Sequence, residues 1–200
     1  WRGVLKWEGR QDEIYEGQPT DNPDEYCYQL LSAFSRAHAR GMAETGNKDH
    51  ALPIVRFQQR LIVLMGKMER FKDQGKEMCV CAQYYSHTSL NGREKEAARY
   101  YKLARAVHAT HGFYSVECQA CLGLGELSIG EGRQEEGVEL LHSALTAASL
   151  SEEERSKLEA RVCCALADAR FKTTSYDELE ELIPRFQEAS KAESLRLTHP

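Results

Sequence analysis

Residues 92–104 read GREKEAARYYKLA, and residues 132–144 read GRQEEGVELLHSA. The two stretches align without gaps at an offset of 40 residues, sharing the first Gly-Arg pair, one Glu and the final Ala. In both, a small residue follows the shared Glu, and a bulky pair begins three residues later. This pattern predicts a helical hairpin, because glycine supplies a left-handed turn between two helices. The small residue lets the helices approach closely, and the bulky pair and the Ala fill the seam with the next hairpin.

The offset extends upstream, where it relates Cys81 to Cys121, and Leu124-Gly125 stands seven residues before Gly132. One stretch resembles a tetratricopeptide repeat (TPR) motif through Leu124-Gly125, Gly132, Gly137, Leu141 and Ala144. The preceding stretch is similar to the same motif through Tyr84-Tyr85, Gly92, Ala97, Tyr101 and Ala104. The resemblance implies an all-α fold of antiparallel helical hairpins, stacked as a short α-solenoid that binds proteins in a concave groove.

The repeat departs from the usual TPR pattern in four ways, one of which is that the first repeat lacks the Leu-Gly pair. Its period is 40 residues, where about 34 is usual, so we expect elongated helices. Cys81 and Cys121 stand where an aromatic residue is usual, and the repeats lack their terminal Pro. The two hairpins between about 78 and 151 carry the resemblance best, and weaker hairpins are expected on either side.

Helix signals outside the repeat predict a TPR-like domain over residues 22–200. Asn22-Pro23-Asp24-Glu25 combines an N-cap with Pro in the first turn, and Gly46 should end the helix that follows. Two capping boxes, at 151–154 and 175–178, predict helix starts near 152 and 176. We expect hairpins at about 23–70, 76–111, 115–149 and 152–193, with turns near Gly75 and Thr174. Pro184 should kink the last helix or end its first part. Residues 1–21 are expected to form an irregular arm or the end of an upstream repeat.

Composition narrows the class of function. The chain is 42% hydrophobic and 28% charged, with a formal net charge of −5. Without a recurring basic stripe this balance argues against nucleic acid as a partner. The longest apolar run, residues 61–65, is too short to span a bilayer. Because the first residue is Trp1, we expect the sequence to be a fragment of a larger protein.

The seven cysteines lie in apolar, helix-like stretches rather than in a loop-rich framework. We interpret them as reduced thiols in the core. That interpretation predicts a reducing compartment, cytoplasmic or nuclear.

Carried over residue by residue, the resemblance gives candidate groove residues on the first helix of each hairpin: Arg36, Arg40, Gln83, Ser86, Gln119, Glu126, Arg161 and Asp168. Arg36 and Arg40 are four residues apart and share a helix face. They are suited to clamp a partner's carboxylate. The alternative is a solvated face with two ordinary arginines.

A metal site is the sharpest rival. His108, His111, Cys118 and Cys121 are four good zinc ligands within 14 residues. The alternative is that these side chains only pack in the core. Cys121 stands at the repeat position equivalent to Cys81, and His111-Gly112 resembles an ordinary helix end.

No other pattern indicates catalysis. Gly123-Leu124-Gly125 follows no strand and precedes no Lys-Ser/Thr, so it does not match a phosphate loop. Six residues separate Cys81 from His87, which puts a thiol nucleophile and its base on different helix faces.

The leading interpretation is a non-catalytic protein–protein interaction scaffold without a cofactor, working within a multi-subunit assembly. The alternatives are a peptide- or ligand-sensing regulatory module and a zinc-binding helical domain.

Overall fold

The computed structural model describes residues 2–7, 10–16, 22–46, 51–87, 93–152 and 154–171, together with the single positions 184 and 187. Two strands precede seven helices in these residues. The strands are β1 (Arg2–Trp7) and β2 (Arg10–Glu16). The helices are α1 (Pro23–Thr45), α2 (Ala51–Lys67), α3 (Phe71–His87), α4 (Glu94–His111), α5 (Tyr114–Gly130), α6 (Gln134–Leu150) and α7 (Arg155–Phe171).

The N-terminal strands replace the irregular arm expected for residues 1–21. They pair antiparallel, with Val4 opposite Ile14 and an irregularity in the register between Leu5 and Lys6. Each strand is short, and its partner is a separate segment of chain. The alternation of apolar and polar residues within one strand therefore does not predict the pairing that stabilises both strands.

Local signals fix most helix ends. The Asn22 side chain accepts a hydrogen bond from the Asp24 N–H at 3.0 Å, which confirms the predicted N-cap. Gly46 ends α1 and Gly112 ends α4, each with a positive φ. Gly132, with φ 82°, makes the turn between α5 and α6 that the repeat predicts. Gly92, its counterpart, lies outside the described residues.

Two predicted boundaries are wrong. The turn expected near Gly75 lies earlier, between α2 and α3, where Glu69 has φ 58°. Gly75 is instead buried within α3, and a Cβ there would lie 2.7 Å from Val116 Cγ1. Its lack of a side chain therefore serves close packing of α3 on α5. The capping box at 151–154 does not start a helix near 152, because Ser151 still closes α6 and α7 begins at Arg155.

The predicted fourth hairpin is described only in its first helix. Pro184 is helical and exposed. The turn near Thr174 and the helix start near 176 lie outside the described residues.

Successive helices pack against one another, and α5 also packs against both α3 and α7. The buried side chains form two clusters. One joins α2, α3, α4 and α5, and the other joins α5, α6 and α7. Because α5 contributes to both clusters, it is the central helix of the stack.

Candidate protein-binding face

The eight predicted groove residues all lie on the odd-numbered helices α1, α3, α5 and α7. We call these eight side chains the odd-helix face. Six of them are exposed: Arg36, Arg40, Ser86, Glu126, Arg161 and Asp168. The other two, Gln83 and Gln119, are half-buried. Since α3 packs on α5 and α5 on α7, six of the residues lie on three adjacent helices.

The pair Arg36 and Arg40 lies on α1, at the first-hairpin end of the face. The charge of Arg36 acts on Glu77 of α3, so the two helices interact electrostatically here. Burial raises the pKa of Glu77, as does the neighbouring Asp73, while a hydrogen bond with Gln58 and the charge of Arg36 oppose the rise. The positive end of the face is therefore close to a half-buried carboxyl group.

Tyr101 packs against α5, one of the helices that carry the odd-helix face. It belongs to α4 and is only 2% exposed. Its ring fills the space at Gly123 of α5, where a Cβ would lie 2.1 Å from Tyr101 Cζ.

The pKa of Tyr101 responds to residues on three helices of the odd-helix face. Burial raises it, and Cys79 and Glu126 add to the rise, while the Ser86 side chain and the charge of Arg161 oppose it. Ser86, Glu126 and Arg161, from α3, α5 and α7, thus all influence this one residue electrostatically.

Sequence reasoning missed Tyr101, because it assigned the bulky pair of the repeat only to the hydrophobic seam. The signal that could have located it is the glycine at 123. The side chains of Gln83, Gln119 and Asp168 make no hydrogen bond or ion pair within the described part of the chain. Three of the predicted residues thus influence Tyr101 electrostatically, and these three do not.

The proposed zinc ligands do not converge. His111 is exposed and stacks on Phe71, with ring centroids 4.3 Å apart, and His108 packs against Tyr114. Cys118 and Cys121 are buried in α5. No group of three or more His, Cys, Asp or Glu residues suited to a metal occurs among the described residues. Among the described residues the four side chains therefore do not come together, because the histidines stack on aromatic rings while the thiols lie in the core of α5.

Cys121 has a different partner. Its thiol donates to Glu117 Oε1 at 3.2 Å, and Arg105 Nε donates to the same oxygen at 3.0 Å. This polar group joins α4 to α5 and leaves Glu117 Oε2 buried without a hydrogen-bond partner among the described residues.

The buried thiols are unsuited to nucleophilic chemistry. Burial raises the pKa of Cys81, Cys118 and Cys121 to about 12, and that of Cys79 further. At neutral pH these groups are protonated thiols, which are poor nucleophiles. Cys81 and Cys121 are both fully buried, as expected for core residues at the same repeat position.

The crossing of α5 and α6 shows the architecture most directly. A Cβ on Gly137 would lie 2.9 Å from the Gly125 carbonyl oxygen, so the two backbones approach closely at the small-residue position of the repeat. Leu141 and Ala144 are fully buried beside it, as are Ala97 and Ala104 of the preceding repeat. The fold is a TPR-like stack of helical hairpins.

The chain is similar to several solved structures at low sequence identity. No protein-family model and no curated protein matches this chain. Among solved structures, BtubC (BKLC) from P. vanneervenii is 13% identical, covering 87% of this chain and 93% of its own at a TM-score of 0.33. A Podosopora anserina putative kinesin light chain with nearly identical TPR-like repeats is 14% identical, covering 87% and 99% at a TM-score of 0.44. The MamA RS-1 ArsTM double mutant is 13% identical, covering 84% and 96% at a TM-score of 0.36. The order and packing of this chain's own helices define the TPR-like stack.

The helices of the stack are amphipathic or interrupted by charge. Within the ranges that the structure describes, none of them is both long and apolar enough to cross a bilayer.

Proposed function

We propose that the protein is a non-catalytic interaction scaffold whose odd-helix face binds a peptide segment of a partner protein. The observation that carries the proposal is that six of the eight candidate side chains lie on α3, α5 and α7, which pack side by side. Tyr101, packed against Gly123 of α5, is influenced by charges from this face. A preorganised polar surface lowers the entropic cost of binding.

The charges of the face indicate how a peptide would be held. Arg36 and Arg40 offer two guanidinium groups at one end, suited to a carboxylate of the partner. Glu126 and Arg161 offer charges of both signs further along the stack. Such an alternation favours one orientation of the bound segment, since electrostatic complementarity contributes mainly to specificity and association rate.

The proposal also covers the cellular compartment of the scaffold and the assembly to which it belongs. The seven cysteines are free thiols, two of them exposed, which favours a reducing compartment such as the cytoplasm or nucleus. We place the chain within a larger protein or multi-subunit assembly, with residues 22–200 as one repeat domain.

The test is selection of peptides from a displayed random library on the immobilised protein. Selected peptides are then measured against Arg36→Glu/Arg40→Glu and against Arg56→Glu/Arg60→Glu. The second variant is a matched control, because Arg56 and Arg60 are exposed and four residues apart, but on α2. We expect the α1 variant to weaken binding at least about tenfold, the effect of one lost charge-assisted interaction, and the α2 variant to leave it unchanged. Peptides that bind both variants as well as wild type, or that lose binding only to the α2 variant, would contradict the proposal.

A further inference from the structure

The outward side of α2 carries a stripe of basic and apolar residues. Its members are exposed and recur every three or four positions along the helix: Leu52, Arg56, Arg60, Val63 and Lys67. This spacing places them on one side of the helix, opposite the residues that pack in the core. We call these five residues the α2 stripe. Because Val63 is 73% exposed and Leu52 is 39% exposed, the stripe offers apolar surface as well as charge.

The charge of the α2 stripe is not balanced within its own helix. Helix α2 contains two arginines and one lysine but neither Asp nor Glu. Lys67 is paired with Asp24 of α1 at 2.8 Å. Arg56 and Arg60 lie four residues apart in the middle of the stripe and are exposed. On a chain with a formal net charge of −5, two neighbouring arginines beside an exposed valine favour an acidic partner surface.

Helix α6 has the opposite charge. It contains three glutamates and neither Lys nor Arg. Glu136 is held in an ion pair with an arginine just before the helix. Glu135 and Glu139 are exposed and lie four residues apart, so they share one side of the helix. We call Glu135 and Glu139 the α6 pair. It has the same spacing as the two arginines of the α2 stripe and carries the opposite charge.

The α2 stripe and the α6 pair lie at separate levels of the stack. Helix α2 packs on α1 and α3, whereas α6 packs on α5 and α7. Their outward sides can therefore meet only between two copies of the chain. Helix α4 lies between them in the stack and exposes Lys95, Arg99 and Lys102. A two-fold pair would bring these cations of the two copies towards each other, so the charges favour a head-to-tail contact.

We propose that a second copy of this chain docks on the α2 stripe through its α6 pair. Arg56 and Arg60 form ion pairs with the two glutamates of the neighbouring copy, and the contact covers Val63. Each copy in turn offers its own α6 pair to a third, so association is open-ended. The eight residues of the odd-helix face lie on other helices, so the contact leaves them accessible. Given the proposed function, such an assembly presents several peptide-binding faces at once.

Sedimentation velocity of the whole chain, at about 1 to 100 μM protein, tests this contact. We expect the sedimentation coefficient to rise with concentration. The rise should shrink at high salt, because the Debye length falls from about 10 Å at 0.1 M to about 3 Å at 1 M. Arg56→Glu/Arg60→Glu and Glu135→Lys/Glu139→Lys should each weaken association at least about tenfold, since each places like charges opposite one another. An equimolar mixture of the two variants should regain association, because opposite charges then meet.

Two further variants separate this contact from an effect of net charge. The variant that carries both reversals keeps the formal net charge of −5 and should associate like the wild type. Arg155→Glu/Lys157→Glu changes exposed residues of α7 and alters the net charge as much as the α2 variant does, so it should leave association unchanged. Circular dichroism checks that each variant is folded.

Three results would overturn the proposal: a wild-type chain that stays monomeric, reversal variants that associate as well as the wild type, or an equimolar mixture that stays monomeric. Peptide binding to the odd-helix face is a separate measurement. The two proposals can therefore fail independently.

Discussion

Gln58 interrupts the apolar pattern of α2, yet it is buried like its apolar neighbours. Its Nε2 donates to Ser35 Oγ at 3.0 Å, which links α2 to α1 through a buried polar pair. Its Oε1 is buried without a hydrogen-bond partner among the described residues. A polar residue in an apolar stripe here marks a contact between helices, because its amide N–H bonds to the neighbouring helix.

The buried thiols should make the folded chain less stable as the pH becomes alkaline. Burial raises the pKa of Cys81, Cys118 and Cys121 from 9.0 to about 12. Between these values the unfolded chain releases thiol protons that the folded chain retains, so the free energy of unfolding falls as pH rises. We expect a loss on the order of 1 kcal/mol per pH unit for each buried thiol, measured by urea denaturation at about pH 8 and about pH 10.5.

Two double variants serve as controls for this prediction. Cys27→Ser/Cys164→Ser changes only exposed thiols and should preserve the slope. Cys118→Ala/Cys121→Ala removes two buried thiols and should reduce it. An unchanged slope in the second variant would mean that these thiols do not cause the pH dependence.

At the scale of elements, α5 is the helix on which the stack depends. Ten of its 17 residues are buried, and they do not form a single stripe. Gly123 faces the ring of Tyr101, while Gly125 and Gly137 bring α5 and α6 together. A helix buried on several sides requires small residues wherever neighbours approach closely.

Gly123→Ala tests this packing. The added Cβ would lie 2.1 Å from Tyr101 Cζ and 2.5 Å from two further ring atoms, so the buried ring must move. We expect a loss of about 1–3 kcal/mol in the free energy of unfolding, measured by urea denaturation. The movement should also weaken binding of selected peptides, since Tyr101 packs directly on α5, which carries part of the odd-helix face.

Gly130→Ala is the matched control, because it lies in the same helix and a Cβ there meets no atom within 4 Å. Alanine has the higher helix propensity, so this variant should be neutral or gain up to about 1 kcal/mol. Equal effects of the two substitutions would show that helix propensity, rather than the Tyr101 contact, decides the outcome.

At the scale of the whole molecule, the helices interact chiefly with near neighbours along the stack. The first hairpin, α1–α2, meets the rest mainly through α3, and α7 packs on α5 and α6. In such a quasi-one-dimensional arrangement, stability is the sum of local terms and neighbour interfaces. A substitution in one helix should therefore destabilise the helices packed on it more than distant helices.

Hydrogen exchange in the Gly123→Ala variant measures that spread. We expect protection to fall most in α3, α4, α5 and α6, and least in α1, which shares no buried apolar cluster with α5. Gly130→Ala should leave the pattern unchanged. A uniform loss along all helices would instead indicate one globally cooperative unit.

Local sequence signals were sufficient to predict the helical hairpins, their turns at Gly46 and Gly132, and the burial of the repeat positions Ala97, Gly137 and Leu141. Caps, turn glycines and apolar spacing are local properties, so one stretch of chain is enough to identify them. The TPR resemblance also assigned the candidate face to the first helix of each hairpin.

Which residues of these elements come into contact depended on tertiary packing. Packing paired the strands of residues 2–16, set the turn before α3 rather than at Gly75, and separated the proposed zinc ligands. It also placed Tyr101 beneath Gly123. These features depend on the spacing and rotation of helices that are distant in sequence, which local patterns do not encode.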